Sequence, residues 1–189
     1  MTDVKRVILV RHARPVIDPT ADAASWAIDP SVHGEIERLA ADISAFGCDS
    51  VVTSAEEKAR STGHLIAGML DAPVRVDPDL GEQGAGTVPW IADDEAFRVR
   101  VIEHFRRPDD RVFGEESSSD AAARFRSSVT RWADECRCPV LVTHGRVLSA
   151  YMAAIMGVDP VPFWLDLRMP DAFMVEPDAR RWWRIDEEG

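Results

Sequence analysis

Val7-Ile8-Leu9-Val10-Arg11-His12 and Val140-Leu141-Val142-Thr143-His144-Gly145 decide how this chain reads. Each is a short apolar run that delivers a histidine. Runs this brief and this rich in branched residues read as strands buried on both faces of a parallel sheet. In open α/β sheets, ligands bind in the crevice at the carboxyl ends of the strands. Two histidines delivered to that edge point to one site, although they lie far apart in sequence. One imidazole reads as the attacking group and the other as a holder of charge.

The elements around these runs fit the same plan. A polar loop rich in Pro, Asp and Ala covers Arg14 to about Pro30. Ile36, Leu39, Ala40, Ile43 and Phe46 recur at helical spacing, and Gly47 marks the end. Val51-Val52-Thr53 is a second buried strand. Ser54 is then expected to cap a helix, with Glu57 completing a capping box and the helix running towards Leu70. Val74-Arg75-Val76 reads as a short third strand. Between Gln83 and Glu116, Gly84, Gly86, Pro89 and Pro108 weaken the pattern. This stretch reads as a cap-like insertion over the site, with a short helix from about Trp90 to Phe105. Ala122, Phe125, Val129, Trp132, Ala133 and Cys136 lie on one helical face. A further helix carries Val147, Leu148, Tyr151, Met152 and Ile155, and two strands are expected around Ala172–Val175 and Trp182–Ile185. Trp182 and Trp183 read as cover for the sheet edge, with a dimer contact as the alternative. Strands alternating with helices predict a three-layer α/β/α sandwich with a mostly parallel central sheet.

The chain has 189 residues, so one domain over 1–189 is expected. It carries 22 basic and 33 acidic residues, a formal net charge of −11. Such a surface repels nucleic acid and anionic membranes, so neither is expected as a partner. A small anionic substrate fits only where basic residues gather, as around Arg11 and Arg14. Cys48, Cys136 and Cys138 are an odd count in a chain that is not cysteine-dense, so reduced thiols are expected and no metal site is read from them. The four apolar residues after Arg6 are too few for a signal peptide or a membrane span, and the expected compartment is the cytoplasm.

Four segments carry chemistry. A neutral imidazole at His12 is a competent nucleophile towards phosphorus when its other nitrogen is held, and Arg11 beside it offers a planar fork for phosphate oxygens. His144 can donate to a phosphoryl oxygen, and Gly145 permits close backbone approach. Ser54 to Thr62 opens a helix whose N-terminus favours anions, with Lys58 one turn in. Glu82, after Leu80-Gly81, can give a proton to a leaving oxygen. Taken singly, each has a plain structural reading: strand-end histidines, a solvated helix of mixed charge, a loop glutamate.

In order and spacing, these segments resemble the histidine phosphatase superfamily, also called the phosphoglycerate mutase-like family, from about Arg6 to Tyr151. Its Arg-His-Gly is similar to Arg11-His12-Ala13, its Ser-Pro-Leu-x-Arg-Ala-x-Gln-Thr to Ser54–Thr62, its Leu-x-Glu to Leu80-Gly81-Glu82, and its His-Gly to His144-Gly145. A weaker Gly-Glu-Ser segment is similar to Gly114-Glu115-Glu116-Ser117. The resemblance implies a phosphoglycerate mutase-like fold. It implies His12 as the nucleophile that becomes phosphohistidine, Arg11, Lys58 and His144 with it in the phosphate pocket, and Glu82 as the proton donor. It implies no metal and no organic cofactor. Three departures stand out: Ala13 for glycine, no recognisable Thr or Asn in Arg14-Pro15-Val16-Ile17, and Lys58 for the second pocket arginine. Lysine keeps the charge but loses the bidentate fork, and Arg14, Arg60 or Arg146 are candidates to compensate.

The resemblance therefore implies a phosphomonoester hydrolase; the cap-like insertion, which would narrow access, favours a small phosphorylated metabolite as substrate, and a monomer or homodimer is expected. The alternatives are a protein phosphohistidine phosphatase, a phosphoglycerate mutase-like phosphotransferase, and a catalytically weak regulatory module that binds a phosphate ligand. The family's mutases carry longer insertions than 83–116, which puts the phosphatase first.

Overall fold

The computed structural model describes residues 4–84 and 91–186. Strands β1 (Val7–Arg11), β2 (Ser50–Thr53), β3 (Val74–Val76) and β4 (Pro139–Thr143) form the parallel part of a six-stranded sheet in the order β3-β2-β4-β1. The hairpin β5 (Asp171–Glu176) and β6 (Arg181–Arg184) continues it antiparallel beyond β1. Mixed α/β architecture around a mostly parallel sheet is what the two histidine-bearing runs predict.

Side chains on a strand alternate between faces, so each buried run feeds two cores. Ile8, Val10, Val51, Val140 and Val142 pack on one face against Ile36, Leu39 and Ile43 of α1 (His33–Ser44) and Ala59 and Ile66 of α2 (Glu57–Leu70). Val7, Leu9, Val52 and Leu141 pack on the other against Phe125, Val129 and Trp132 of α4 (Ser118–Glu135) and Val147, Leu148 and Tyr151 of α5 (Gly145–Met156). Gly63 shows how close the layers run: a Cβ there would lie 2.2 Å from Thr53 Cγ2, so α2 seats on β2 only with glycine at the crossing.

Helix α3 (Asp94–Arg106) occupies the expected insertion, capped by Asp93, whose carboxylate accepts from Ala96 N–H. Trp90, the expected start of this helix, lies outside the described residues, as do 85–89. Val101 and Phe105 of α3 join Phe113, Ala122 of α4 and Ala150 of α5 in a small core of their own. Helix α6 (Pro160–Asp166) precedes the terminal hairpin. Trp182 belongs to edge strand β6 and packs edge-on against Phe163 and Phe173, while Trp183 is exposed. Cys48, Cys136 and Cys138 are free thiols. No helix among the described residues is long and apolar enough to cross a membrane.

One local expectation is corrected. Ser54 does not cap α2. The helix begins at Glu57 behind Glu56, with no side-chain cap and no capping box. The Ser54 hydroxyl is taken instead by a histidine across the sheet edge, 2.7 Å away.

Candidate active site

Strand register places the site. Arg11 pairs with Thr143 and Thr53 with Val142, so the three central strands end level. His12 N–H donates to Thr143 O at 2.9 Å and Ser54 N–H to Val142 O at 3.0 Å. The residues that follow, His12, Ser54 and His144, therefore leave the sheet side by side. The two imidazole centroids lie 5.0 Å apart, tilted by 59°.

His12 is buried, and its Nδ1–H donates to Ala13 O at 2.7 Å. That bond defines the tautomer and leaves Nε2 with its lone pair. Burial, then the nearby His144, Lys58 and Arg11, hold the His12 pKa well below its usual value. The ring is neutral, the state a nucleophile needs. The loop behind it is pinned by Thr62, whose hydroxyl accepts from Ala13 N–H at 3.0 Å and donates to Lys58 O at 2.7 Å.

Arg11 is gripped from behind. One Nη donates to Leu167 O at 3.0 Å, while the buried Nε has no hydrogen-bond partner in the protein. A Cβ on Gly145 would come within 3.1–3.3 Å of the guanidinium, so glycine is what lets the start of α5 and Arg11 share this space.

His144 is fully buried; Nε2 lies 2.7 Å from Ser54 Oγ and 3.2 Å from Glu56 Oε1, and Nδ1 is unpartnered. Burial is the main cause that depresses its pKa to about 3. Glu82 sits at the N-terminus of α5, where its Oε2 accepts from Arg146 N–H at 3.1 Å and its Oε1 from Val147 N–H at 3.0 Å. Burial opposes its ionisation. The charges of Arg146 and His144 and the N–H groups of Gln83 and Arg146 outweigh burial and hold it at about 2. Such a helix end is a ready anion site, here filled by the chain's own carboxylate.

Lys58 is buried, and its Nζ donates to Glu56 Oε2 at 2.5 Å and Ala23 O at 2.7 Å. Of the three arginines expected to support it, Arg146 is brought to the site. It lies 3.5 Å from Glu82 and stacks on the Phe113 ring at 4.2 Å. Arg14 is turned to Asp29 on the surface, and Arg60 to Glu57. A cavity of about 350 Å³ opens beside Glu82, lined by Glu56, Glu82, Glu115, Glu116 and Arg124 among others; neither His12 nor His144 lines it. Glu116 is occupied by both Nε and an Nη of Arg124 at 2.8 Å, and Ser117 caps α4. No cluster of three or more His, Cys, Asp or Glu suited to a metal ion occurs among the described residues.

Two residues of this region escaped the sequence reading. Glu56 touches Lys58, His144 and the Glu82 N–H. The signal lay in the same nine residues, because the leucine of Ser-Pro-Leu-x-Arg is Glu56 here just where the arginine is Lys58. His104 of α3 is fully buried against Phe113, with both ring nitrogens unpartnered; burial first, then Arg146, lowers its pKa to about 4. No local pattern announces it, because it sits in the segment with the weakest periodicity.

Comparison with known proteins bears on the family and the fold. The family model described as histidine phosphatase superfamily (branch 1) matches residues 7–176. The fold is similar to that of a mycobacterial glucosyl-3-phosphoglycerate phosphatase (TM-score 0.74, 16% identity, 95% of this chain and 96% of that one). It is also similar to YhfR of Bacillus stearothermophilus (TM-score 0.74, 20% identity, 96% of each chain). A third likeness is to a phosphoserine phosphatase mutant of Entamoeba histolytica in complex with phosphoserine (TM-score 0.72, 15% identity, 96% and 95%). A search of curated protein sequences returns no match.

Proposed function

The chain belongs to the histidine phosphatase superfamily, branch 1, and is a phosphatase; on that premise we propose that it hydrolyses a small phosphomonoester through a phosphohistidine on His12. The observation that carries this reading is the His12 tautomer. Its Nδ1–H is spent on Ala13 O, so Nε2 is the basic nitrogen, in a ring that burial keeps neutral. Nε2 attacks phosphorus and the ester oxygen leaves with the P–O bond electrons. Arg11 and Lys58 offset the charge of the phosphoryl oxygens, and His144 lies beside them to bind a further oxygen. The leaving oxygen takes its proton from Glu82.

Glu82 is ionised before substrate arrives, so that proton has to come with the substrate. A phosphomonoester with a second pKa of about 6 carries it as the monoanion in mildly acidic solution. Transfer to Glu82 is favoured once the phosphoryl charge stands beside the carboxylate and raises its pKa. In the second half-reaction, ionised Glu82 withdraws a proton from the water that cleaves the N–P bond, releasing inorganic phosphate. The cavity beside Glu82 is sized for a metabolite, which favours a small substrate over a phosphorylated protein.

Rapid quenching of turnover with a labelled phosphomonoester tests this reading. Acid-labile, base-stable phosphate should appear on the wild-type chain and be lost in His12→Ala together with turnover. Label retained on folded His12→Ala would place the nucleophile elsewhere.

A further inference from the structure

We propose that Glu56 is a built-in counter-ion of the phosphoryl pocket: it positions Lys58 and His144 and limits how tightly the pocket holds free phosphate. This rests on the reading of the pocket given above. Glu56 is buried, and its two oxygens are divided among three segments of the chain. Oε2 accepts from Lys58 Nζ at 2.5 Å, while Oε1 accepts from Glu82 N–H at 2.8 Å and lies 3.2 Å from His144 Nε2. A carboxylate thus already occupies donors that a phosphoryl oxygen would seek. As the N-cap residue of α2 it makes no capping bond, so the helix start does not account for its burial.

The charge count makes the consequence concrete. Arg11, Lys58 and Arg146 are the cations gathered here and Glu56 and Glu82 are the anions, while Asp171 is offset by Arg184 at 3.2 Å. With both imidazoles neutral the set carries a single net positive charge, little for a pocket that is to receive a dianion. Replacing the Glu56 carboxylate by an amide leaves the shape and doubles that net positive charge. It also releases Lys58 from an ion pair in which both partners are nearly buried. A unit charge a few ångströms from a phosphate dianion, in surroundings far less polar than water, is worth a large factor in binding. For an enzyme that must discharge phosphate at every turnover, a pocket of low net charge guards against product trapping.

The test measures the affinity of inorganic phosphate and orthovanadate by calorimetry, together with kcat and KM on one phosphomonoester, for wild type, Glu56→Gln and Glu56→Asp. Glu56→Gln should bind phosphate at least about tenfold more tightly and lower KM, while kcat falls because product leaves slowly. Glu56→Asp, which keeps the charge, should stay within about threefold of wild type in phosphate affinity. A folded Glu56→Gln with unchanged or weaker phosphate affinity would reduce Glu56 to a structural part and overturn the proposal. Should Glu56→Gln fail to fold, Glu56→Ala, which removes the charge and leaves Lys58 in place, takes over the test. It too should bind phosphate at least about tenfold more tightly than wild type, and unchanged or weaker affinity in the folded variant overturns the proposal. Wild type that hydrolyses phosphomonoesters beside an unresponsive Glu56→Gln rejects only this proposal. Wild type that binds neither anion rejects the pocket reading and this proposal with it.

Discussion

Asp77 and Glu82 lie on the same short segment after β3, and both are carboxylates held below their usual pKa, yet their surroundings differ in kind. Every side-chain donor to Asp77 comes from one face of α4: Ser128 Oγ, Arg131 at 2.5 Å and Trp132 Nε1 at 2.7 Å. It is a staple between the end of a strand and a helix. Glu82 takes its partners from its own loop and from α5, with Arg11 and His144 beside it. Its neighbourhood keeps unspent hydrogen-bonding capacity at Arg11 Nε, His144 Nδ1 and Gln83 Oε1. Burial of a charge therefore does not by itself mark a site. Buried polar groups without partners, gathered where several charges meet, do.

The comparison breaks or sharpens under substitution. The largest effect is expected at Glu82. If it donates the proton, Glu82→Gln lowers hydrolysis of alkyl phosphates by ~10²–10⁴-fold, as loss of a general acid does, and of a nitrophenyl phosphate far less, because that leaving group needs little help. A leaving-group series for both proteins reads this. Equal losses across the series would make Glu82 a staple like Asp77 and move the search for the acid to Glu115 or Glu116.

Asp77→Ala should act on the fold instead. It strands Trp132 Nε1, Ser128 and Arg131, at a cost of about 3 kcal/mol of unfolding free energy, with kcat per folded molecule unchanged. Urea titration alongside activity measurements tests both halves. Loss of kcat at full stability would erase the distinction between the two carboxylates.

The smallest effect is on stability against pH, and its window separates the two regions. His144 stands at about 3 in the fold against an ordinary 6.5, so on acidification the unfolded chain takes up a proton first. Stability is full above 6.5 and is lost as pH falls from there towards 3. Glu82, at about 2 against 4.5, adds loss only below 4.5, and Asp77 only below its ordinary 3.8. The melting temperature should thus decline between pH 6.5 and 5 through the buried histidines. His144→Asn should flatten that slope, and Asp77→Ala should leave it unchanged. The remainder belongs to His12 and His104, and a slope undiminished in His144→Asn would take His144 out of the account.

The sequence by itself determined the sheet, because β-branched runs such as Val7–Val10 and Val140–Val142 are stable only when both faces are covered. It also determined which residues stand just past the strand ends, because a histidine that follows a buried strand has one edge on which to emerge. It misread Ser54, where a local capping signal lost to a partner from β4 that no window of sequence contains. Only the tertiary structure decided that Glu56 neutralises Lys58, that Glu82 is held ionised on the first turn of α5, and that Arg146 rather than Arg14 or Arg60 stands at the site. These depend on parallel register, which sets Arg11 against Thr143 and Thr53 against Val142. Register arises from packing between layers distant in sequence. The charge on a buried group depends on everything within a few ångströms of it, and that neighbourhood exists only once the chain has folded.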